Sequence, residues 1–209
     1  MAYLSAEERR RTIIDAAIEV IGQEGLQRAT TRRIAERANA PLGALHYCFR
    51  NKEELLQVVA DEGAGMLNAA FEDVDPSKGF EQTLRDSVAA IWHWVEQNVG
   101  LQMALLETAM WRIREADPDE DLYIMWKRFG GDVLRDSLGR ALETDPVELK
   151  VPLDEIVRFI NHRFDGLILE FAASKDSDAC RRQTELLADA MLVLSVPGAK
   201  PLAVAGGVG

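Results

Sequence analysis

Apolar residues return at helical spacing from the start of the chain. Ile14, Ala17, Ile18 and Ile21 stand at i, i+3, i+4 and i+7, behind a Ser5-Ala6-Glu7-Glu8 run with the form of a capping box. The spacing predicts a helix over 6–23, with Gly25 as its left-handed stop. Thr30 and Thr31 offer a fresh N-cap for a short helix to residue 38, with Ile34, Ala35 and Ala38 as its buried stripe and Asn39 in the αL position that ends it. Pro41 fixes φ in the first turn of a third short helix over 42–48, where its missing N–H costs nothing. Two short helices therefore meet at a tight turn. Asn51 caps a fourth helix that Leu55, Leu56 and Val59 carry to residue 71, and the turn-rich run from Asp73 to Gly79 closes it. Helical patterns follow over 80–98, 101–115, 119–143, 152–173 and 178–196, and strand-type alternation is absent. The fold class is all-α, with about nine helices. Its expected organisation is an N-terminal helix-turn-helix module over 1–51, a helical domain over 52–196 whose first helix is the linker, and a Gly/Ala/Pro-rich tail over 197–209.

Composition narrows the class. Of 209 residues, 47% are hydrophobic and 28% charged, which excludes intrinsic disorder. No apolar run reaches the roughly 20 residues that span a bilayer, and the Arg-rich start lacks the apolar core of a signal peptide, so a cytoplasmic protein without membrane contact is expected. Cys48 and Cys180 have no CxxC or His/Cys neighbours, and are expected as free thiols with no metal or cofactor. The net charge of −11 argues against a nucleic-acid binder until its distribution is read. Residues 1–55 hold nine Lys/Arg against eight Asp/Glu, and residues 56–209 hold fifteen against twenty-seven. Arg28, Arg32, Arg33, Arg37, Arg50 and Lys52 cluster in the first stretch, so the local field can be positive.

The stretch from Thr30 to Leu55 carries a Thr-Thr start, Ile34-Ala35-Glu36-Arg37-Ala38, Leu45-x-x-x-Phe49 and Phe49-x-Asn51-Lys52-Glu53 in order. It resembles the DNA-binding signature of TetR-family repressors, a resemblance that covers about 50 residues, a quarter of the chain. A recognition helix must be short and packed by one apolar edge. Leu45 and Phe49 supply that edge, which leaves Leu42, Gly43, Ala44, His46 and Tyr47 outward as candidates for the DNA groove. The resemblance implies that Thr31 and the amides of its helix meet phosphate, that Lys52 is a second phosphate clamp, and that Arg32 reaches a guanine edge. Arg33 meets either phosphate or solvent. Thr30 and Thr31 can equally be plain caps, Tyr47 can stack within the fold, and Lys52 can be an ordinary first-turn lysine. Pro41, Leu42, His46 and Cys48 replace the Ser, Lys, Tyr and His usual in the family, which bears on operator sequence and affinity.

Trp92, Trp94, Trp111 and Trp126 crowd into one region with Met103, Met110, Tyr123, Met125 and Phe129. Such side chains fill cores, or line a cavity for an apolar or flat ligand. Trp92 and Trp94 lie about 200° apart on a helix, so at most one lines a cavity. The expected effector residues are Trp92, Met103, Trp111, Met125, Trp126, Phe129 and His162. In the family the last two helices pair with their twins. The apolar stripes here place that seam at Ile160, Phe164, Leu167, Phe171, Leu187, Met191 and Leu194.

The implied function is a transcriptional repressor that binds palindromic double-stranded operator DNA as a homodimer and is released by a small, largely apolar or aromatic effector. The alternative is a helical interaction or adaptor protein without operator binding. Catalysis has no support, since no nucleophile elbow, P-loop, dinucleotide fingerprint or HExxH occurs, and neither His93 nor His162 has a Glu three residues upstream.

Overall fold

The computed structural model describes residues 5–115 and 131–200, apart from the side chains of Trp111, Arg112 and Glu115. Its helices are α1 (Ala6–Glu24), α2 (Thr31–Arg37), α3 (Leu42–Cys48), α4 (Lys52–Ala70), α5 (Phe80–Gln97), α6 (Val99–Glu115), α7 (Asp132–Thr144), α8 (Leu153–Ser174) and α9 (Ser177–Ser195), with a 3-10 turn at Pro76–Lys78. No strand occurs among the described residues. The helix limits fall within two residues of those predicted, except that the span 119–143 is described only from Asp132.

Local chemistry accounts for these limits. Ser5 accepts from the Glu8 amide at 3.1 Å while the Glu8 carboxylate accepts from the Ser5 amide at 2.7 Å, which completes the capping box. Those two bonds hold the Glu8 carboxyl below its usual range. Asn51 caps α4 through the Glu54 amide at 2.8 Å. Gly25 ends α1 with φ 84° and ψ 160°, a positive-φ stop outside the left-handed helical well that the sequence predicts.

Contacts divide the chain into two units, and the boundary falls inside α4 between Met66 and Leu67. The unit with the N-terminus resumes at Gln97, so it contains α6 as well as the first three helices. It is thus larger than the 1–51 module expected from the sequence. α1 packs against α2, α3 and α6. Being covered on more than one side, it buries Ile13, Ala16 and Val20 beside Ile14, Ala17 and Ile21, whereas Ile18 is only half-buried. A Cβ added to Gly100 would stand 3.0 Å from both Cα and O of Gly22, so at this crossing the two backbones are in direct contact.

The other unit contains α5, α7, α8 and α9. α8 packs against α7 and α9, and α7 against the 3-10 turn. Trp92 of α5 meets the Phe171 ring edge to face at 5.3 Å, and Arg85 pairs with Asp189 of α9 at 2.6 Å with both side chains largely covered.

This packing shows where the residues expected at a dimer seam lie within one chain. Ile160, Phe164, Leu167, Phe171, Leu187 and Met191 are buried within their own unit, although Met191 also lines an open groove, and Leu194 is 57% exposed. The strongest apolar stripes of α8 and α9 serve the chain's own core. Other apolar side chains of these two helices are exposed: Phe159 to 52%, and also Leu169, Leu186 and Val193. Arg158 and His162 interrupt that outer set along α8, so it does not read as a stripe.

Candidate nucleic-acid interface

The turn between α2 and α3 is built as the sequence anticipates. Thr30 is the N-cap of α2, its hydroxyl accepting from the Arg33 amide at 3.2 Å, and Thr31 is the first helical residue. Asn39 takes φ 49°, and the Ala40 amide donates back to the Ala35 carbonyl at 3.0 Å. Pro41, at φ −59°, stands one position earlier than predicted, as the N-cap of α3. Leu45 is the one buried residue of α3, and Phe49, just past its end, is buried with it. Leu42, Gly43, His46 and Tyr47 are exposed, Tyr47 to 83%, while Ala44 is half-buried. Among the described residues nothing lies within 4 Å of a Cβ added at Gly43, so none of them requires glycine there.

The arginines divide into two groups. Arg33 forks onto the Glu24 carboxylate at 2.8–3.1 Å, and Arg37 reaches Glu19 and Gln23, each at 3.0 Å. Both brace α2 against α1. Through its hydrogen bonds the Arg33 guanidinium holds the Glu24 carboxyl below its usual range. Arg32 is exposed and, among the described residues, pairs with its helical neighbour Glu36 at 3.3 Å. Lys52 donates to the Leu26 carbonyl at 2.9 Å, and partial burial lowers its ammonium pKa.

Two partners escaped sequence reasoning because they are distant along the chain. Glu107 of α6 accepts from the Leu26 amide at 2.7 Å, so the Leu26 peptide is gripped on one side by α6 and on the other by α4 through Lys52. Arg10 of α1 donates to the Cys48 carbonyl at 2.8 Å, with its guanidinium 4.5 Å from the centre of the Phe49 ring.

Of the expected effector residues, Met125, Trp126, Phe129 and the Trp111 side chain lie outside the described residues, as does Tyr123. Trp92 is buried, and its indole N–H has no acceptor among the described residues. Met103 is half-buried on α6. His162 is exposed and lines an open groove of about 410 Å³ with Phe159, Met191 and Leu194, so it belongs to the outer face of α8. Cys48 and Cys180 are free, and burial raises the Cys180 thiol pKa. Among the described residues no cluster of His, Cys, Asp and Glu is arranged to hold a metal ion, and no helix is long and apolar enough to cross a membrane.

Comparison with known proteins agrees with this geometry. The family model described as bacterial regulatory proteins, tetR family, matches residues 13–59. The chain is 49% identical over 59 residues to the nicotine-responsive transcriptional repressor HdnoR of Paenarthrobacter nicotinovorans, a match covering 28% of this chain and 30% of that protein. It is 27% identical over 184 residues to the transcriptional repressor AcnR of Corynebacterium diphtheriae, covering 88% of this chain and 91% of the relative. A transcriptional regulator from Rhodococcus sp. Rha1 shares the fold with TM-score 0.68 and 17% identity, over 89% of this chain and 97% of that one. The TetR-family regulator PfmR from Thermus thermophilus does so with TM-score 0.61 and 19% identity, over 89% and 97%.

Proposed function

The chain belongs to the TetR family of bacterial regulatory proteins, and from that premise we propose that it is a ligand-responsive transcriptional repressor that binds a palindromic operator as a homodimer. The observation that carries this reading is α3: a short helix anchored by Leu45 and Phe49, with Leu42, Gly43, His46 and Tyr47 turned to solvent. Those four residues and Ala44 enter the major groove. Gly43 supports the reading, because glycine costs a helix about 1 kcal/mol relative to alanine and none of the described residues calls for it.

Arg32 is the arginine of α2 with the freedom to reach a base, since breaking its exposed pair with Glu36 costs little. Thr31 and the first amides of α2 meet phosphate. Arg33 is committed to Glu24, so it contributes to DNA binding mainly by holding α2 in place. Lys52 reaches phosphate with the two ammonium donors that Leu26 leaves over.

Dimerisation uses the outer faces of α8 and α9 through Phe159, Leu169, Leu186 and Leu194, whose exposed apolar surface fits an isologous contact. The effector is small and largely apolar or aromatic, bound near Trp92, whose indole N–H, without an acceptor among the described residues, suits an acceptor on the ligand. Release requires the effector to prefer a conformation in which the paired α3 helices no longer match two half-sites about 34 Å apart.

Footprinting on the intergenic DNA beside the gene, followed by a screen for compounds that release it, tests the proposal. A protected palindrome and a releasing compound are expected. A protein that protects no duplex would instead favour the helical interaction module.

A further inference from the structure

α3 is a precarious element. It has seven residues, one buried side chain, a proline N-cap with no side-chain hydrogen bond, and Gly43 in its first turn. Helices this short do not persist on their own propensity, so ties to the rest of the unit must set its direction. Leu45 and Phe49 supply apolar ties, which fix depth better than angle because hydrophobic contact is non-directional.

At the far end of α3 the directional tie is Arg10. Its Nη1 donates to the Cys48 carbonyl at 2.8 Å, one of the terminal carbonyls that a helix leaves without an internal partner. The same guanidinium lies 4.5 Å from the centre of the Phe49 ring. A cation here also faces the negative end of the helix dipole. Arg10 is half-buried on α1 and pairs with no carboxylate among the described residues, in contrast to Arg33 and Arg37. One planar group thus holds two adjacent residues at the end of α3, a task for which lysine lacks both the fork and the flat face.

The geometry points to Arg10 as a positioning residue for DNA recognition: it sets the angle of α3 in the groove and does not itself contact DNA. This rests on reading α3 as the recognition helix. Its signature is loss of discrimination rather than of general affinity, because phosphate contacts made elsewhere carry non-specific binding.

The test uses the full-length protein with Arg10→Lys, Arg10→Gln, Phe49→Leu and the Arg10→Gln/Phe49→Leu pair. Each is titrated against a duplex selected by the parent from a random pool and against an unselected duplex of equal length, from 50 to 200 mM salt. Both Arg10 variants are expected to lose about tenfold or more on the selected duplex, the scale of a misaligned base contact. Binding to the unselected duplex, its salt slope and the dimer should be unchanged, and the double variant should be no worse than the poorer single one. Rescue by lysine, or a salt slope reduced by about one unit on both duplexes, would make Arg10 a phosphate contact and overturn the inference. So would parent-like discrimination in both variants, or equal loss on both duplexes with a lowered melting temperature. A parent that selects no duplex would overturn the repressor reading along with this one, whereas the other failures leave that reading intact.

Discussion

Replacing Phe159 by serine separates the outer face of α8 from the interior stripe beside it. A phenylalanine buries roughly 150–250 Å² when fully covered, and Phe159 leaves about half of its surface to solvent. Some 80 Å² of apolar surface per protomer would therefore be covered in a dimer and lost in the variant, worth about 2 kcal/mol at 25 cal/mol/Å². A two-fold axis applies that loss twice, so the dimer should weaken by about 4 kcal/mol, nearly three powers of ten in Kd. Sedimentation equilibrium over a wide concentration range measures this directly, and operator binding should fall in the same range because monomers cannot bridge two half-sites. Phe164→Ser is the contrast. Phe164 is buried within its own unit, so its truncation should cost about 3–5 kcal/mol of folding stability, seen as a lower melting temperature at every protein concentration. A Phe159→Ser protein that dissociates at the parent's concentration would refute the reasoning, as would a Phe164→Ser protein that becomes a stable monomer with an unchanged melt.

Three further outcomes are expected. Gly43→Ala should stabilise the fold by up to about 1 kcal/mol, since space for the Cβ exists, yet weaken operator binding; a melt and a gel shift on one preparation decide it, and an unchanged operator affinity would remove Gly43 from the interface. Burial pushes the Asp165 carboxyl up to about 6 from an ordinary 3.8, so the unfolded chain ionises first as pH rises and the fold loses stability between those values. Asp165→Asn should then raise stability at pH 8 by about 1 kcal/mol, less than the roughly 3 of a fully desolvated group because the carboxylate keeps access to water, and the gain should vanish towards pH 4; an equal gain at both pH values would exclude burial of charge as its cause. Arg32→Ala should cost about 1–3 kcal/mol on operator and relax base preference, with little change in melting, as its pair with Glu36 is exposed; parent-like discrimination would leave Arg32 without a base contact.

The legible parts of the sequence were those whose causes lie within a few residues. Ser5 with Glu8, Asn51 with Glu54 and Asn39 in αL each place an end or a turn through a bond to a near neighbour, so the helix-turn-helix could be drawn almost to the residue. Arg10 reaches a carbonyl 38 positions away and Glu107 an amide 81 positions away, and no local pattern marks either. The outward apolar residues escaped notice for a different reason. Helical periodicity identifies the most apolar face, and on α8 that face is claimed by the chain's own core through Ile160, Phe164 and Leu167, while the outward set at Phe159 and Leu169 shares its turns with Arg158 and His162. Ile18 shows the same limit in miniature. A single-face template assigns it to the interior, but a helix covered on more than one side distributes burial otherwise.

The contact between Gly22 and Gly100 bears on how this regulator can be recombined. The head that reads DNA is not a contiguous cassette. Its first helix lies backbone to backbone against a helix encoded some eighty residues later, and any side chain in place of either glycine would force the two apart. A chimera joined near residue 51, carrying a relative's head on this body, would set a foreign α1 against this α6 at a crossing where an added Cβ requires the backbones to move by a few tenths of an ångström. Exchanging residues 97–115 together with the head carries both halves of the crossing across. Specificity for DNA in this architecture is therefore best transplanted as two segments of sequence.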